Sequence, residues 1–231
     1  MAQQAKPRIV IIHALQDSQV PIWNAFKSGW PEPEIYNLMD DSLSADLAAE
    51  GTLTPAMTQR FLTLARYAAS VGPGDRRADA ILFSCSAFGP AIEEVKKALP
   101  IPVLRPNEAA FEEALGAGRR LGLMVTFAPA LPPLKAELES MAAERGLAPE
   151  IFTAVAEGAL QALQSGRPEE HDRIAAETAS RMPPLDALVL GQFSLARAKP
   201  AIEARGVRPV FTTPASAVAK LKRVLAAGGR A

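Results

Sequence analysis

The sequence predicts an α/β protein of two similar lobes, each a mainly parallel sheet flanked by helices. Short apolar runs of strand length alternate with stretches of helical periodicity, the order that builds parallel sheets covered on both faces. The runs in Arg8–Ile12, Ala80–Phe83, Leu121–Val125 and Ala187–Leu190 are almost wholly apolar, as strands buried on both sides are. The rhythm also repeats. Each half opens on an apolar strand, and each holds a later one that ends in a small, polar loop: Phe83-Ser84-Cys85-Ser86 in one and Leu190-Gly191-Gln192-Phe193-Ser194 in the other. The expected lobes are residues 1–113 and 114–231, with the last helix free to pack back on the first lobe.

Taken in order, Arg8 to His13 is the first strand and Ala14 to Ser18 its loop. Ile22 to Trp30 reads as a short helix, stopped by Gly29 and the prolines at 31 and 33. Glu34 to Leu38 is a second strand that runs into Asp40-Asp41-Ser42. Pro55 to Val71 is a helix, with Met57, Phe61, Leu64 and Ala68 at helical spacing and a proline at its start. After the turn Gly72 to Asp75 come the Ile81 strand, a helix over Pro90–Leu99, a short strand Ile101–Leu104 and a helix from Glu108 to Gly116. The second half gives a strand at Leu121–Thr126, a helix Pro129–Arg145 ended by Gly146, and a strand Ile151–Val155. Helices at Ala159–Gln164 and Glu169–Arg181, strands at Ala187–Gly191 and Val207–Phe211, and a helix Pro214–Ala226 complete it.

Composition narrows the function. With 48% hydrophobic and 22% charged residues the chain has ordinary globular make-up, and 231 residues can bury a real core. Formal net charge is zero and the basic residues form no block, so nucleic-acid and membrane-surface binding have no electrostatic footprint. The N-terminus is polar, without the apolar core of a signal peptide, and no run approaches membrane-spanning length. The expected location is the cytoplasm. A single cysteine excludes an internal disulfide and a thiolate metal site, and two histidines leave little for zinc chemistry. No glycine-rich phosphate loop follows a strand, so no nucleotide cofactor is expected.

Cys85 is the residue on which chemistry centres. It sits where a strand ends and a helix, opened by Gly89-Pro90, begins. Strand ends of this kind are where α/β proteins bind ligands, and a helix N-terminus favours a thiolate. Free cysteine is also a common buried packing residue, and at this level both readings stand.

The order and spacing resemble the aspartate/glutamate racemase superfamily, which includes hydantoin racemases, maleate isomerases and arylmalonate decarboxylases. Ser84-Cys85-Ser86-Ala87-Phe88-Gly89 matches the family's first cysteine motif at the end of the third strand. Leu121 to Thr126 resembles the strand that delivers a substrate-binding threonine, and Ala187 to Gly191 the strand leading to the family's second cysteine. Where that cysteine is expected, this chain has Gln192. The resemblance implies a cofactor-independent fold with no metal, an active site in the cleft between the lobes, a small carboxylate substrate and a homodimer. It also implies one catalytic thiol instead of two. Two-thiol racemisation takes an α-proton on one face and returns one on the other, which Cys85 alone cannot do. A single thiol can protonate an enediolate left by loss of CO2, exchange a proton on one face, or add to a double bond.

The substrate-binding residues expected beside Cys85 are Asp17, Ser18, Ser86, Thr126, Gln192 and Thr213. Asp17 and Ser18 lie in the loop that faces the cleft in the family. Ser86, Thr126 and Thr213 are short hydroxyls at helix starts, able to steady charge on oxygen, although Thr213 before Pro214 also reads as an ordinary helix cap. Phe88 and Phe193 read either as pocket lining or as core. Arg105 and Arg197 are the arginines nearest strand ends, too few for a dicarboxylate. Asp40 and Asp41 are weak as metal ligands, His13 reads as a structural residue, and His171, after two glutamates, as solvated surface. Two rival functions stand beside an isomerase or lyase. One is a catalytically inactive binding protein of the same fold; the other is covalent thiol chemistry, for which His13 is the only histidine placed to serve as base.

Overall fold

The computed structural model describes residues 6–228; the first five residues of the polar N-terminal stretch lie outside them. The chain divides into two compact units, residues 1–106 with 217–231, and residues 107–216.

In the first unit the strands are β1 (Arg8–His13), β2 (Glu34–Met39), β3 (Ala80–Phe83) and β4 (Val103–Leu104), in the order β2-β1-β3-β4 and all parallel. Between them run α1 (Gln19–Gly29), α2 (Ser42–Glu50), α3 (Pro55–Ser70) and α4 (Gly89–Ala98). Successive side chains on a strand face opposite ways, so Val10, Ile12, Ile81 and Phe83 pack as one set. They meet Leu43 of α2, Phe61 and Ala65 of α3, and Ile92 and Val95 of α4. Helix α3 starts as its sequence indicates: Thr54 caps it by accepting from the Met57 N–H at 3.3 Å, and Pro55 follows.

The second unit repeats this plan. Its strands are β5 (Arg120–Val125), β6 (Glu150–Val155), β7 (Ala187–Leu190) and β8 (Val210–Thr212), in the order β6-β5-β7-β8, again parallel. The helices are α5 (Glu108–Ala117), α6 (Leu131–Glu144), α7 (Ala159–Gln164), α8 (Pro168–Ser180) and α9 (Lys199–Glu203). Leu121, Leu123, Val125 and Val189 pack on Phe111 of α5 and Leu134 and Leu138 of α6. Met124, Leu188 and Leu190 pack on Ala175 and Ala179 of α8 and Ile202 of α9. Helix α10 (Thr213–Gly228) starts in this unit and continues through residues that belong to the first.

The likeness of the units extends to side chains. Asp79, just before β3, accepts from the Arg8 N–H at 2.6 Å, and Asp186, just before β7, accepts from the Arg119 and Arg120 N–H groups at 2.7 and 2.8 Å. Arg8, the first residue of β1, lies over the Tyr36 ring, and Arg120, the first of β5, over the Phe152 ring. Both aromatics stand two places beyond the arginine's partner on the neighbouring strand.

Several elements differ from the sequence reading. The segment Ser42–Glu50 is a helix, with only Leu43 fully buried and Gly51 in the left-handed region (φ 69°) ending it. So sparse an apolar stripe gives weak periodicity. Strands β4 and β8 begin after Pro102 and Pro209, because proline has no N–H to give the ladder. Residues 193–203, which showed no periodicity, form a 3-10 turn (Phe193–Ala198) and then α9. His171 is fully buried and not solvated surface: one helical face of α8 carries it with Ala175 and Ala179. Among the described residues no helix is long and apolar enough to cross a membrane.

Candidate active site

Strand β1 pairs with β2 on one side and β3 on the other, so chain direction across the sheet reverses between β1 and β3. Ligands of open parallel sheets bind outside the carboxyl ends of strands at such a point. In the first unit those ends carry His13 and, two residues past β3, Cys85. In the second unit the equivalent ends carry Thr126, next after β5, and Gln192, two residues past β7. Cys85 and Gln192 match in register, since Ala80 pairs with Ile9 and Ala187 with Leu121. They match in backbone too: both are extended (φ −116° and −139°) and both precede a 3-10 turn.

Cys85 is partly exposed. Burial of its sulfur pushes the thiol above the ordinary 9.0, while the Ala87 N–H and the Ser44 hydroxyl pull it back less strongly. The thiolate expected from the helix N-terminus is therefore not what the site favours: a 3-10 turn, Ser86–Phe88, intervenes before α4, and desolvation of the charged form outweighs the nearby donors. The sequence gives no sign of Ser44 because it gives none of α2; the single hydroxyl hydrogen of Ser44 is divided between Cys85 and the Ala14 carbonyl, 3.0 Å away.

His13 is fully buried behind this loop. Its Nδ1 lies 2.9 Å from Ser18 Oγ and 2.8 Å from Ser84 Oγ, and its Nε2 lies 2.9 Å from Asn37 Oδ1. The two serine oxygens are 2.8 Å apart, and Ser18 Oγ donates to the Leu15 carbonyl at 2.6 Å. Burial lowers the His13 pKa below 6.5 against the opposing bond from Asn37, so the ring is neutral at pH 7. Both ring nitrogens are engaged with these groups. Covalent thiol chemistry with His13 as base therefore gains no support.

In the second unit Gln192 Oε1 accepts from the Thr126 N–H at 2.6 Å and from Thr126 Oγ1 at 2.8 Å. A backbone N–H needs an acceptor, which fixes the amide: oxygen toward Thr126 and the NH2 group away from it. That nitrogen makes no hydrogen bond among the described residues, and Gln192 is partly exposed.

The remaining expected residues are placed as follows. Asp17 is exposed on the 3-10 turn Gln16–Ser18, Ser18 is buried in the His13 network, and Ser86 is partly exposed beside Cys85. Thr213 is fully buried at the first position of α10, and its hydroxyl has no partner among the described residues, so it makes no cap bond. Asn107, which precedes α5, is likewise buried with both amide atoms unpartnered among the described residues. Phe88 is core, packed on Phe61 at 4.7 Å between ring centres, and Phe193 is buried. Arg105 pairs with Glu93 at 3.0 Å and Arg197 with Asp172 at 2.8 Å. Asp40 pairs with Arg60, which also holds Asp46. Among the described residues no three His, Cys, Asp or Glu side chains gather as metal ligands.

Known structures share this architecture. Glutamate racemase from Thermus thermophilus aligns over 97% of this chain and 82% of its own with a TM-score of 0.67 at 21% identity. An aspartate racemase homologue from Pyrococcus horikoshii aligns over 95% and 99% with a TM-score of 0.70 at 15% identity. Allantoin racemase from Pseudomonas fluorescens aligns over 96% and 92% with a TM-score of 0.62 at 17% identity. At such identities the likeness is one of fold. No curated protein matches in sequence. The family described as Asp/Glu/Hydantoin racemase matches residues 36–221, most of the chain and both strand ends that carry Cys85 and Gln192. The chain belongs to the Asp/Glu/hydantoin racemase family.

Proposed function

We propose that this protein is a cofactor-independent isomerase or lyase of small carboxylic or carbonyl acids, with Cys85 as its single acid–base thiol. The observation that carries the reading is the pairing of equivalent positions: a thiol at the β3 end and, at the matching β7 end, a glutamine whose oxygen is tied to Thr126. Gln192 neither gives nor takes a proton near neutral pH, but its NH2 group can donate to a carboxylate or carbonyl oxygen. In this reading Thr126 orients that amide, and Ser86, Asp17 and Thr213 meet the substrate's polar groups, while Ser18, expected among them, spends its hydroxyl on the His13 network instead.

The electrostatics set the direction of proton transfer. A thiol held above 9.0 is protonated at neutral pH, so Cys85 begins as an acid. Loss of CO2 from a malonate-type acid leaves an enediolate; the Cys85 S–H gives its proton to carbon, and the thiolate regains one from solvent. Donors already aimed at the enediolate oxygens stabilise it, and removing one such donor typically costs about 2.7–4 kcal/mol. One-faced isomerisation uses the same donors but starts from the other form: the thiol first gives its proton to solvent, and the thiolate then takes the α-proton and returns it to the same face.

Alkylation of Cys85 with and without amino dicarboxylates, hydantoins, maleate and arylmalonates tests the site. Protection by one class of acid, with turnover abolished in Cys85→Ser, is the expected result. Full two-faced racemisation by the purified protein would sink the assignment of Gln192. The raised thiol favours one rival, a binding protein without turnover; in that case Cys85→Ser keeps its ligand and no candidate acid is consumed.

A further inference from the structure

The His13 cluster holds too many close contacts for the hydrogens of one of its tautomers. Five polar contacts join His13, Ser18, Ser84, Asn37 and Leu15, all at 2.6–2.9 Å. The Ser18 hydrogen is committed, because the Leu15 carbonyl can only accept. If neutral His13 carries its proton on Nε2, that proton goes to Asn37 and the Ser84 hydrogen can serve only one of its two neighbours. Two contacts, Ser18 with the ring and one edge of the serine pair, are then bare lone pair against lone pair. With the proton on Nδ1 every contact has a hydrogen. Nδ1–H is shared between the two serine oxygens, Ser84 donates to Ser18, and Ser18 to Leu15. Asn37 turns its amide so that its NH2 donates to Nε2. That turn is unopposed, since Asn37 is exposed and the choice between its oxygen and nitrogen follows from the hydrogen bonds alone.

We infer that His13 is a positioning residue: as the neutral Nδ1–H tautomer it locks Ser84 to the end of β1 and so holds the Cys85 sulfur in its packed setting. Ser84 is then tied to β1 twice, by its N–H to the Ile12 carbonyl at 3.0 Å and by its hydroxyl to the ring. The cluster joins the ends of β1 and β3, the loop after β1 and, through Asn37, the edge strand β2. Its meaning for turnover rests on Cys85 being the reacting thiol, whereas the tautomer and the hold on the sulfur do not.

Nitrogen-15 NMR of the histidine-labelled protein reads the tautomer directly, since the chain has only His13 and His171 and His13→Asn assigns the signals. The expected spectrum shows neutral His13 protonated on Nδ1. Alkylation of Cys85 across pH then reads the hold. Loosening the loop in His13→Leu or Ser84→Ala relieves the burial, so the profile moves down toward 9.0 and alkylation below the midpoint becomes several-fold faster. His13→Asn, which keeps a donor at the Nδ1 position, stays near the parent. A proton on Nε2, or unchanged alkylation in folded Ser84→Ala, overturns the inference; Ser84→Ala and the parent spectrum decide it even if His13→Leu does not fold. If Cys85 proves non-catalytic, turnover is unaffected by Cys85→Ser while these outcomes are still read, so the two failures are distinct.

Discussion

At the scale of single residues, the proposed chemistry needs one group that can transfer a proton, Cys85, and one that can only bind, Gln192. Thr126 uses both its N–H and its hydroxyl to turn Gln192, so the glutamine presents donors. Gln192→Glu exchanges those donors for a negative charge. Like charge facing an anionic acid costs several kcal/mol, so protection of Cys85 by that acid should weaken by more than about tenfold, as competition alkylation would report. Thr126→Val keeps the N–H and loses one hydroxyl bond worth about 0.5–1.5 kcal/mol, a smaller loss of affinity by the same assay. Position after an apolar strand singles out Cys85 in the sequence, and the family resemblance adds Thr126 and Gln192 as expectations. Neither reveals that Thr126 spends its hydroxyl on Gln192, because that bond joins residues 66 positions apart.

At the scale of elements, the turn after Cys85 is held from below by an aromatic stack. Phe61 of α3 lies 5.3 Å from Phe83 and 4.7 Å from Phe88, all three fully buried. Phe61→Ala removes the shared ring and should cost about 3–5 kcal/mol of stability in urea unfolding, with faster alkylation of Cys85 as Phe88 loosens. Gly118 shows a different constraint. A Cβ there would come within 2.3 Å of Asp186 Cβ, though its backbone is extended and unstrained. Gly118→Ala should displace Asp186 from the Arg119 and Arg120 N–H groups and speed hydrogen exchange of those two amides. Retained protection would show that those amides do not depend on Asp186. The apolar strands and helix α3 are legible because their periodicity is strong; α2 and α9 are not, since each has a single buried residue, Leu43 and Ile202.

At the scale of the whole molecule, buried and paired groups set how stability depends on pH. His13 has a folded pKa below 6.5, so the unfolded chain binds more protons just under that value. Stability is complete above 6.5 and falls as pH drops toward the folded pKa. Asp40, held down by Arg60 and Ser42 despite its burial, Asp172, held by Arg197 and His171, and Asp186, held by backbone N–H groups, act lower. Their stabilising contribution is present above 3.8 and is lost as pH falls through their depressed values. Urea midpoints measured from pH 8 to 3 should therefore decline in two steps, and His13→Leu should remove only the upper one. A single decline in the parent would show that His13 carries no such penalty.

By itself the sequence determined the two-lobed α/β class, the strand that leads to Cys85 and the absence of a second thiol. Each of these rests on local pattern: apolar runs, helix-opening prolines and a residue count. The tertiary structure alone decided that the Cys85 thiol is pushed up instead of down, that His171 is inside, and that His13, Ser18, Asn37 and Ser84 form one cluster. Those outcomes depend on desolvation and on hydrogen bonds between strands whose neighbours in the sheet are up to 71 positions away in the chain. Periodicity can place a residue on a buried face, but the balance between burial and the donors that meet it there is set only when the strands come together.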